Sequence, residues 1–372
     1  MRIGVNIVEA FDFETVNYGT SGGVHSYVGD FGVTDPKIIS FSVAEMRLNL
    51  APGIIKGMHE AVDLGSFGYM PTDKERYDRA LKAWMLERHG WEIDPVHAVQ
   101  VAGVVTAMGI AIRSLTKPGD GVMIQTPLYP PFAAAVRDNG RTLLENPLKC
   151  DGGIYTMDFD DLREKAKHAK LLMLCSPHNP SGRVWTREEL ETLGEICLEN
   201  DLYVFSDEIH FDLDFTGKHL VFPLAGNALS NIIIENDELR KKFEEDQAAY
   251  CGFFTSTFGY AAATAAYETG GPWLDALLQL LKKNRQVLKD RLTAMIPGAV
   301  FSPLEGTYLQ WIDLSCLGLS QEKLMELLKS ALIFVNNGEK FGQAGKGHIR
   351  FNLACPTKCI EEAMDRLEKV LR

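Results

Sequence analysis

Asn179, Asp207, His210 and Arg350 are the residues whose types and settings could do chemistry. Asn179 lies in Cys175-Ser176-Pro177-His178-Asn179-Pro180-Ser181-Gly182-Arg183-Val184-Trp185. Asp207 and His210 close Tyr203-Val204-Phe205-Ser206-Asp207-Glu208-Ile209-His210. A carboxylate at the end of an apolar strand can keep a pyridine nitrogen protonated, so that the ring accepts the electrons of a carbanion. The alternative for Asp207 is a strand-terminal cap of the next turn. Asn179 can donate a hydrogen bond to a phenolic ring oxygen, or simply start a turn between its neighbours. His210 falls close enough to Asp207 to meet the same ring edge, or is structural. Together the two blocks read as edges of a pocket for pyridoxal phosphate (PLP).

The elements that must hold these residues can be read from apolar runs. Val122-Met123-Ile124-Gln125, Leu171-Leu172-Met173-Leu174-Cys175 and Leu202-Tyr203-Val204-Phe205-Ser206 have the composition of short buried strands. Thr186-Arg187-Glu188-Glu189 fits a capping box ahead of a helix from Leu190 to Glu199. Strand, helix, strand in that order predicts a parallel sheet with right-handed crossovers and a site at the carboxyl ends of its strands. A long amphipathic helix is predicted from Trp273 to Met295, with short strands around Tyr308 to Ile312 and Ile349 to Asn352, and a last helix from about Ile360. The expected class is α/β: a large domain over 51–271 with a mostly parallel sheet, and a small α+β domain built from 1–50 and 272–372.

Composition bounds the function classes. The chain has 372 residues, of which 46% are hydrophobic and 24% charged, as in soluble globular proteins. A net charge of −12 disfavours a duplex DNA binder, which needs a basic footprint. No apolar run is long enough to span a bilayer and the first residues carry no signal-peptide pattern, so a cytoplasmic protein is expected. The seven cysteines form no CxxC pair, which suggests neither a disulfide framework nor a zinc ribbon. Cys355 and Cys359 stand four apart with Pro356 between them and read as thiols rather than metal ligands.

In combination with Phe67-Gly68-Tyr69, Gly103-Val104-Val105, Thr126-Pro127-Leu128-Tyr129-Pro130-Pro131-Phe132, Glu305-Gly306-Thr307-Tyr308-Leu309 and Arg350-Phe351-Asn352-Leu353-Ala354-Cys355-Pro356, these blocks resemble the fold-type I PLP-dependent enzymes of the aspartate aminotransferase superfamily. Within it the chain is similar to the MalY/PatB group of cystathionine β-lyases, also called cysteine-S-conjugate β-lyases. The resemblance covers nearly the whole chain. It implies that the amides near Val104 and Val105, opening a helix, cradle the cofactor phosphate. It implies that Tyr129 stacks on the pyridine face, that Asn179, Asp207 and His210 contact the ring, and that Tyr69 reaches the phosphate of a neighbouring subunit in a homodimer. Arg350 would grip the α-carboxylate of an amino-acid substrate, for which a guanidinium fork is suited. Taken alone, Tyr129 is also a plausible core aromatic, and Arg350 a solvated strand residue.

The chain departs from that family where its central lysine belongs. The family pattern has a loop, a strand and Ser-Lys-Thr-Phe-Asn-Leu-Ala-Gly before Ser-Asn-Ile-Ile-Ile. Here His219-Leu220-Val221-Phe222-Pro223 runs directly into Leu224-Ala225-Gly226 and then Ser230-Asn231-Ile232-Ile233-Ile234. The Schiff-base lysine, its neighbouring serine and one strand of the large-domain sheet are therefore expected to be missing as one block. Without that strand, Ile232-Ile233-Ile234 should either pair with the Asp207 strand or leave backbone groups exposed. Lys218, in a turn, and Lys241, in a charged helix, are expected to face solvent. A second departure is Ser42-Val43-Ala44-Glu45-Met46-Arg47-Leu48, where the family has Trp-Val-Ala-Asp-Met-Asp-Phe; Arg47 replaces an acid near the site's mouth.

The function implied by resemblance is PLP-dependent carbon–sulfur β-lysis of cystathionine or another cysteine S-conjugate, with activity in question for want of the lysine. No catalytic residue is assigned. The alternatives are a class I/II aminotransferase, which uses the same pocket, a non-catalytic paralogue that binds a ligand or partner, or an active lyase whose sequence here is incomplete.

Overall fold

The structure, a computed structural model, describes residues 11–16, 38–65, 73–219, 230–250 and 256–372. The Phe67-Gly68-Tyr69 block and the junction at Pro223-Leu224 lie outside these residues. In chain order the elements begin β1 (Ile39–Ser40), α1 (Pro52–Asp63), α2 (Lys74–His89), β2 (Ala98–Val101), α3 (Val104–Leu115), β3 (Gly121–Thr126), α4 (Pro131–Asp138) and β4 (Thr142–Pro147). A hairpin of β5 (Lys149–Asp151) and β6 (Ile154–Thr156) precedes α5 (Phe159–Ala166), β7 (Ala169–Cys175), α6 (Arg187–Glu199) and β8 (Tyr203–Asp207). Then come β9 (Ser230–Ile233), α7 (Asp237–Tyr250), α8 (Thr257–Thr269) and the long α9 (Gly271–Met295). The chain closes with β10 (Val300–Phe301), β11 (Leu309–Asp313), α10 (Gln321–Ser330), β12 (Ile333–Phe334), β13 (Asn336–Asn337), β14 (His348–Asn352) and α11 (Thr357–Leu371).

Strands β4, β3, β7 and β8 form a parallel sheet in that order. All six residues of β3 and six of the seven of β7 are buried, which explains their near-continuous apolar runs: a parallel sheet with helices on both faces leaves no strand face for water. The crossover helix α6 begins with the expected capping box, in which Thr186 accepts from the Glu189 amide and the Glu189 carboxylate accepts from the Thr186 amide.

The long C-terminal segment forms an antiparallel sheet in the order β10-β11-β14-β13. Helices α9 and α11 pack on each other beside it, sharing one apolar core. The N-terminal segment joins this unit through the parallel pair β1 and β12. Asn284 of α9 is fully buried and satisfied: its amide donates to the Leu353 and Cys355 carbonyls, and its oxygen accepts from the Thr357 hydroxyl. This pin fixes the exit of β14, the strand that carries Arg350.

The interruption lies between β8 and β9. Strand β9 pairs antiparallel with β2, Ile232 opposite Val99 and Ile233 opposite Ala98, and not with the Asp207 strand. The pairing of Ile232-Ile233 with β8 is therefore not what the described residues adopt; β2 supplies the ladder instead. Among the described residues, β8 and β9 each have one strand partner and one edge without a ladder. Helix α3 packs against β2, β9, β7 and β8 alike, so one helix bridges the two pieces of sheet. A single apolar cluster holds Val99 and Ile232 of one piece with Met173 and Phe205 of the other. Among the described residues this α/β fold has its larger sheet in two pieces.

Candidate active site

The carboxyl ends of β3, β7 and β8 converge. Asp207 is the last residue of β8 and lies opposite Cys175, the last of β7, where its carbonyl accepts from the Ser176 amide at 2.9 Å. The Asn179 carbonyl then accepts from the Tyr129 amide at 3.2 Å, which ties the loop after β7 to the loop after β3. Backbone geometry alone therefore brings Asp207, Asn179 and Tyr129 together.

Asp207 is only 4% exposed. One carboxylate oxygen accepts from the Ile209 amide at 3.0 Å, and among the described residues no cation pairs with it. Burial raises its pKa to about 6, against the downward pull of that one hydrogen bond. A desolvated carboxylate without a counter-charge is the environment that a protonated ring nitrogen would relieve.

Arg350 is the complementary case, a guanidinium only 3% exposed. Nη1 donates to Asn179 Oδ1 at 2.9 Å; Nη2 donates to Asn336 Oδ1 at 2.6 Å and to the Ser42 carbonyl at 3.2 Å. Its Nε is buried without a partner, and its face lies 4.8 Å from the centre of the Phe341 ring. Every one of these partners is neutral. Burial pushes its pKa down to about 10, with Tyr308 and Tyr129 acting in the other direction. A buried arginine ringed by neutral acceptors is poised for a carboxylate from outside the chain. Because arginine has only donors, the Asn179 oxygen must face Arg350, which leaves the Asn179 amide N–H₂ to donate elsewhere.

His210 starts the turn Phe211–Leu213, and its ring meets Tyr308 edge-on at 5.7 Å. Burial, with the Arg350 charge second, lowers its pKa to about 3, so the imidazole is neutral. Val104 and Val105 open α3 behind Gly103, whose φ of 98° lies in the left-handed region. No side chain caps this helix, so its first-turn amides are free for an anion. Tyr69 lies outside the described residues.

Three neighbours had not been singled out from sequence. Tyr308 donates to the Ala44 carbonyl at 2.7 Å and packs on His210. Its motif was visible, but its role was not. Asn336 and Phe341 hold Arg350 from a segment without any distinctive pattern. The loop that delivers Tyr308 passes so close to the Asn179 loop that a Cβ on Gly306 would meet Pro177 Cβ at 2.6 Å, which explains the glycine in Glu305-Gly306-Thr307-Tyr308.

Every lysine among the described residues is exposed or half-exposed, including Lys218 and Lys241; Lys37 lies outside them. None takes part in a hydrogen bond or ion pair with Asp207, Asn179 or Arg350. No group of three or more His, Cys, Asp or Glu among the described residues could hold a metal ion. Nor is any helix there long and apolar enough to cross a membrane. The retained side chains thus fit PLP and an amino-acid carboxylate by charge.

Comparison with known proteins agrees with this reading. The model of the aminotransferase class I and II family matches residues 36–227 and 221–367, two stretches that meet around the junction after His219. Cystathionine β-lyase PatB of Bacillus subtilis is 36% identical over 387 residues, taking in 97% of this chain and 99% of that protein. An alignment longer than this 372-residue chain means that PatB carries residues absent here. Cystalysin from Treponema denticola, whose crystal structure contains PLP, superposes with a TM-score of 0.91 at 36% identity, covering 97% of this chain and 98% of that one. The PLP-bound C–S lyase from Staphylococcus hominis superposes with a TM-score of 0.89 at 30% identity, covering 99% of each chain. The chain belongs to the class I and II aminotransferase family of PLP-dependent proteins, and within it to the group of the MalY/PatB cystathionine β-lyases.

Proposed function

We propose that this protein is a PLP-dependent carbon–sulfur β-lyase by descent, acting on cystathionine or another cysteine S-conjugate, and that the sequence as it stands binds its ligands better than it turns them over. The observation that carries this reading is a pair of buried, oppositely charged groups without ionic partners among the described residues: Asp207, and Arg350, which Asn179 holds. Bound PLP supplies an electron sink for the negative charge that develops at a substrate Cα. Asp207 would hold a proton on the ring nitrogen. The Asn179 amide would donate to the ring's phenolic oxygen, with neutral His210 nearby. Tyr129 would pack on the ring, and the Val104 and Val105 amides would bind the phosphate. Arg350 grips the substrate carboxylate and thereby orients Cα.

No described lysine is placed to hold the cofactor or to move the Cα proton, a role for which a positioned base contributes typically ~10²–10⁴-fold. The expected phenotype is PLP binding with slow release of pyruvate. The test is titration with PLP followed by its absorbance. The parent should bind and Asp207→Ala should not; equal affinities would overturn the pocket assignment. A pyruvate assay on cystathionine without a keto-acid acceptor separates lysis from transamination. The same reading makes the protein a cytoplasmic homodimer in which Tyr69 serves the neighbouring site; a monomer by light scattering at micromolar concentration would count against a shared site.

A further inference from the structure

Between β1 and α1 the chain forms a strap, Phe41 to Arg47, without helix or strand. Side chains from the neighbouring antiparallel sheet hold it. Four successive carbonyls, Ser42 to Glu45, each accept from such a side chain. Ser42 accepts from Arg350 Nη2 at 3.2 Å, and Ala44 from the Tyr308 hydroxyl at 2.7 Å. Val43 and Glu45 both accept from Asn352 Nδ2, at 2.6 Å and 2.8 Å. Arg350 and Asn352 stand two apart on β14, so their side chains leave the same face of the sheet. Tyr308 directly precedes β11, and its carbonyl accepts from the Leu353 amide. The orientation of Asn352 is settled by its partners. Its oxygen accepts from the Ala354 amide at 2.8 Å, and a flipped amide would set that oxygen against two carbonyls. The residue is only 6% exposed.

We propose that Asn352, assisted by Tyr308, is a positioning residue for the substrate carboxylate: it fixes the strap, and the strap's Ser42 carbonyl fixes the Arg350 fork. The proposal rests on the assignment of Arg350 to that carboxylate. Two of the acceptors on Arg350, Asn179 and Asn336, are side chains of other segments; Ser42 is its main-chain acceptor among the described residues. A carbonyl in a segment without a helix or strand ladder keeps its place only if the segment does. Asn352 grips the strap on both sides of Ala44 and spends both amide hydrogens on it. Without those two bonds the Ser42 carbonyl can swing away, and the fork loses a partner that orients it. The four bonds go to main-chain carbonyls, which every residue offers. That accounts for a strap that departs from the family at Ser42, Glu45 and Arg47 and still docks. Arg47 too is tied by its main chain, its amide donating to the Ala354 carbonyl at 2.8 Å.

The test compares two ligands on the PLP-loaded protein by equilibrium dialysis: S-methylcysteine, and S-methylcysteamine, the same thioether amine without the carboxylate. The ratio of their affinities reads the carboxylate grip alone. Asn352→Ala should lower that ratio by about three- to tenfold, the worth of one ordinary hydrogen bond, and Tyr308→Phe should lower it by less. Arg350→Ala should remove the preference for S-methylcysteine. Adding Asn352→Ala to Arg350→Ala should then remove nothing more, because a residue that acts through Arg350 has no effect in its absence. A merely structural role for Asn352 would weaken both ligands alike and keep the parent ratio. That result overturns the proposal, as does a further fall of the ratio in the double variant. If Arg350→Ala itself keeps the parent ratio, the carboxylate assignment fails and the proposal with it. If Arg350→Ala loses the preference while Asn352→Ala keeps it, the proposal alone fails. Tyr308→Phe removes a single hydroxyl, so an Asn352→Ala protein that does not fold still leaves a decisive measurement: a parent ratio in Tyr308→Phe overturns the proposal.

Discussion

The two edges of β8 differ. On one side it pairs with β7 over five residues, from Leu171–Tyr203 to Cys175–Asp207, and its carboxyl end delivers Asp207 into a packed cluster with Asn179 and Arg350. On the other side it has no ladder partner among the described residues, and Tyr203 and Val204 remain exposed. The side facing β7 holds the groups proposed to recognise a ring and a carboxylate. In the sequence, the family match breaks into two between β8 and β9. On the proposed reading, recognition and covalent chemistry rest on different parts of one sheet, so that one part can be interrupted while the other stays built.

The largest effect should come from repairing the open edge. Inserting the family's strand and Ser-Lys-Thr-Phe-Asn turn between Pro223 and Leu224 should raise pyruvate release from cystathionine by about 10²–10⁴-fold, the contribution typical of a positioned base. Borohydride reduction with PLP should then label the inserted lysine and, in the parent, no pocket lysine stoichiometrically. Robust turnover by the parent, or stoichiometric labelling of Lys218, would break the contrast between the two edges. The same repair should raise the unfolding midpoint, because two strand edges gain ladder partners. Equal midpoints would mean that the open edge costs the fold little.

A smaller effect should follow from altering the intact side. Arg350→Lys keeps the charge but loses the planar fork. Loss of one hydrogen bond to a charged group, about 1.5–3 kcal/mol, should weaken cystathionine binding by roughly tenfold or more in equilibrium dialysis. PLP affinity should change much less, because Asp207 and the α3 amides are untouched. If PLP binding fell in parallel with substrate binding, Arg350 would be holding the cofactor side of the site through Asn179, and the assignment of Arg350 to the substrate would be wrong.

The two sides of β8 also differed in how much could be read from sequence. Strands β3 and β7 announce themselves because burial on both faces demands apolar runs, β8 by its apolar run although its first two residues are exposed, and α6 because its cap is a local pattern. Asp207 and Asn179 are legible for the same reason: Asp207 closes such a strand and Asn179 follows one closely, so local register places each. The partner of β9 is a long-range choice without a local signal. Ser230 to Ile233 suits a ladder with β8 or with β2, and only the assembled fold selects β2. Asn336 and Phe341 were not foreseen because they hold Arg350 from neighbouring chain segments, by contacts that no spacing rule encodes. Tyr308 stood in a recognised motif, yet its contact with His210 depends on how closely the Gly306 loop crosses Pro177.

The smallest expected effect concerns acid stability, and it tests whether the cluster around Arg350 is as dry as its geometry implies. His210 and His178 are buried, and burial lowers the pKa of each to about 3. In the unfolded chain both bind a proton near pH 6.5. Their contribution is therefore complete above pH 6.5 and is lost as pH falls from there towards 3. Asp207 has the opposite sign. Its folded value of about 6 exceeds the unfolded one, so the native state holds an extra proton between about pH 4 and 6, and stability from this group declines as pH rises through that window. With His219, whose pKa burial lowers to about 4, three histidines against one aspartate should leave a net loss of stability on acidification. Urea midpoints measured from pH 4 to 8 should fall on the acid side, and less so in His210→Gln, which cannot take up a proton on unfolding. Asp207→Asn should steepen the same limb by removing the opposing group. If His210→Gln leaves the acid limb unchanged, His210 already titrates near 6.5 in the folded protein, and the ring edge between Tyr308 and Arg350 is open to water.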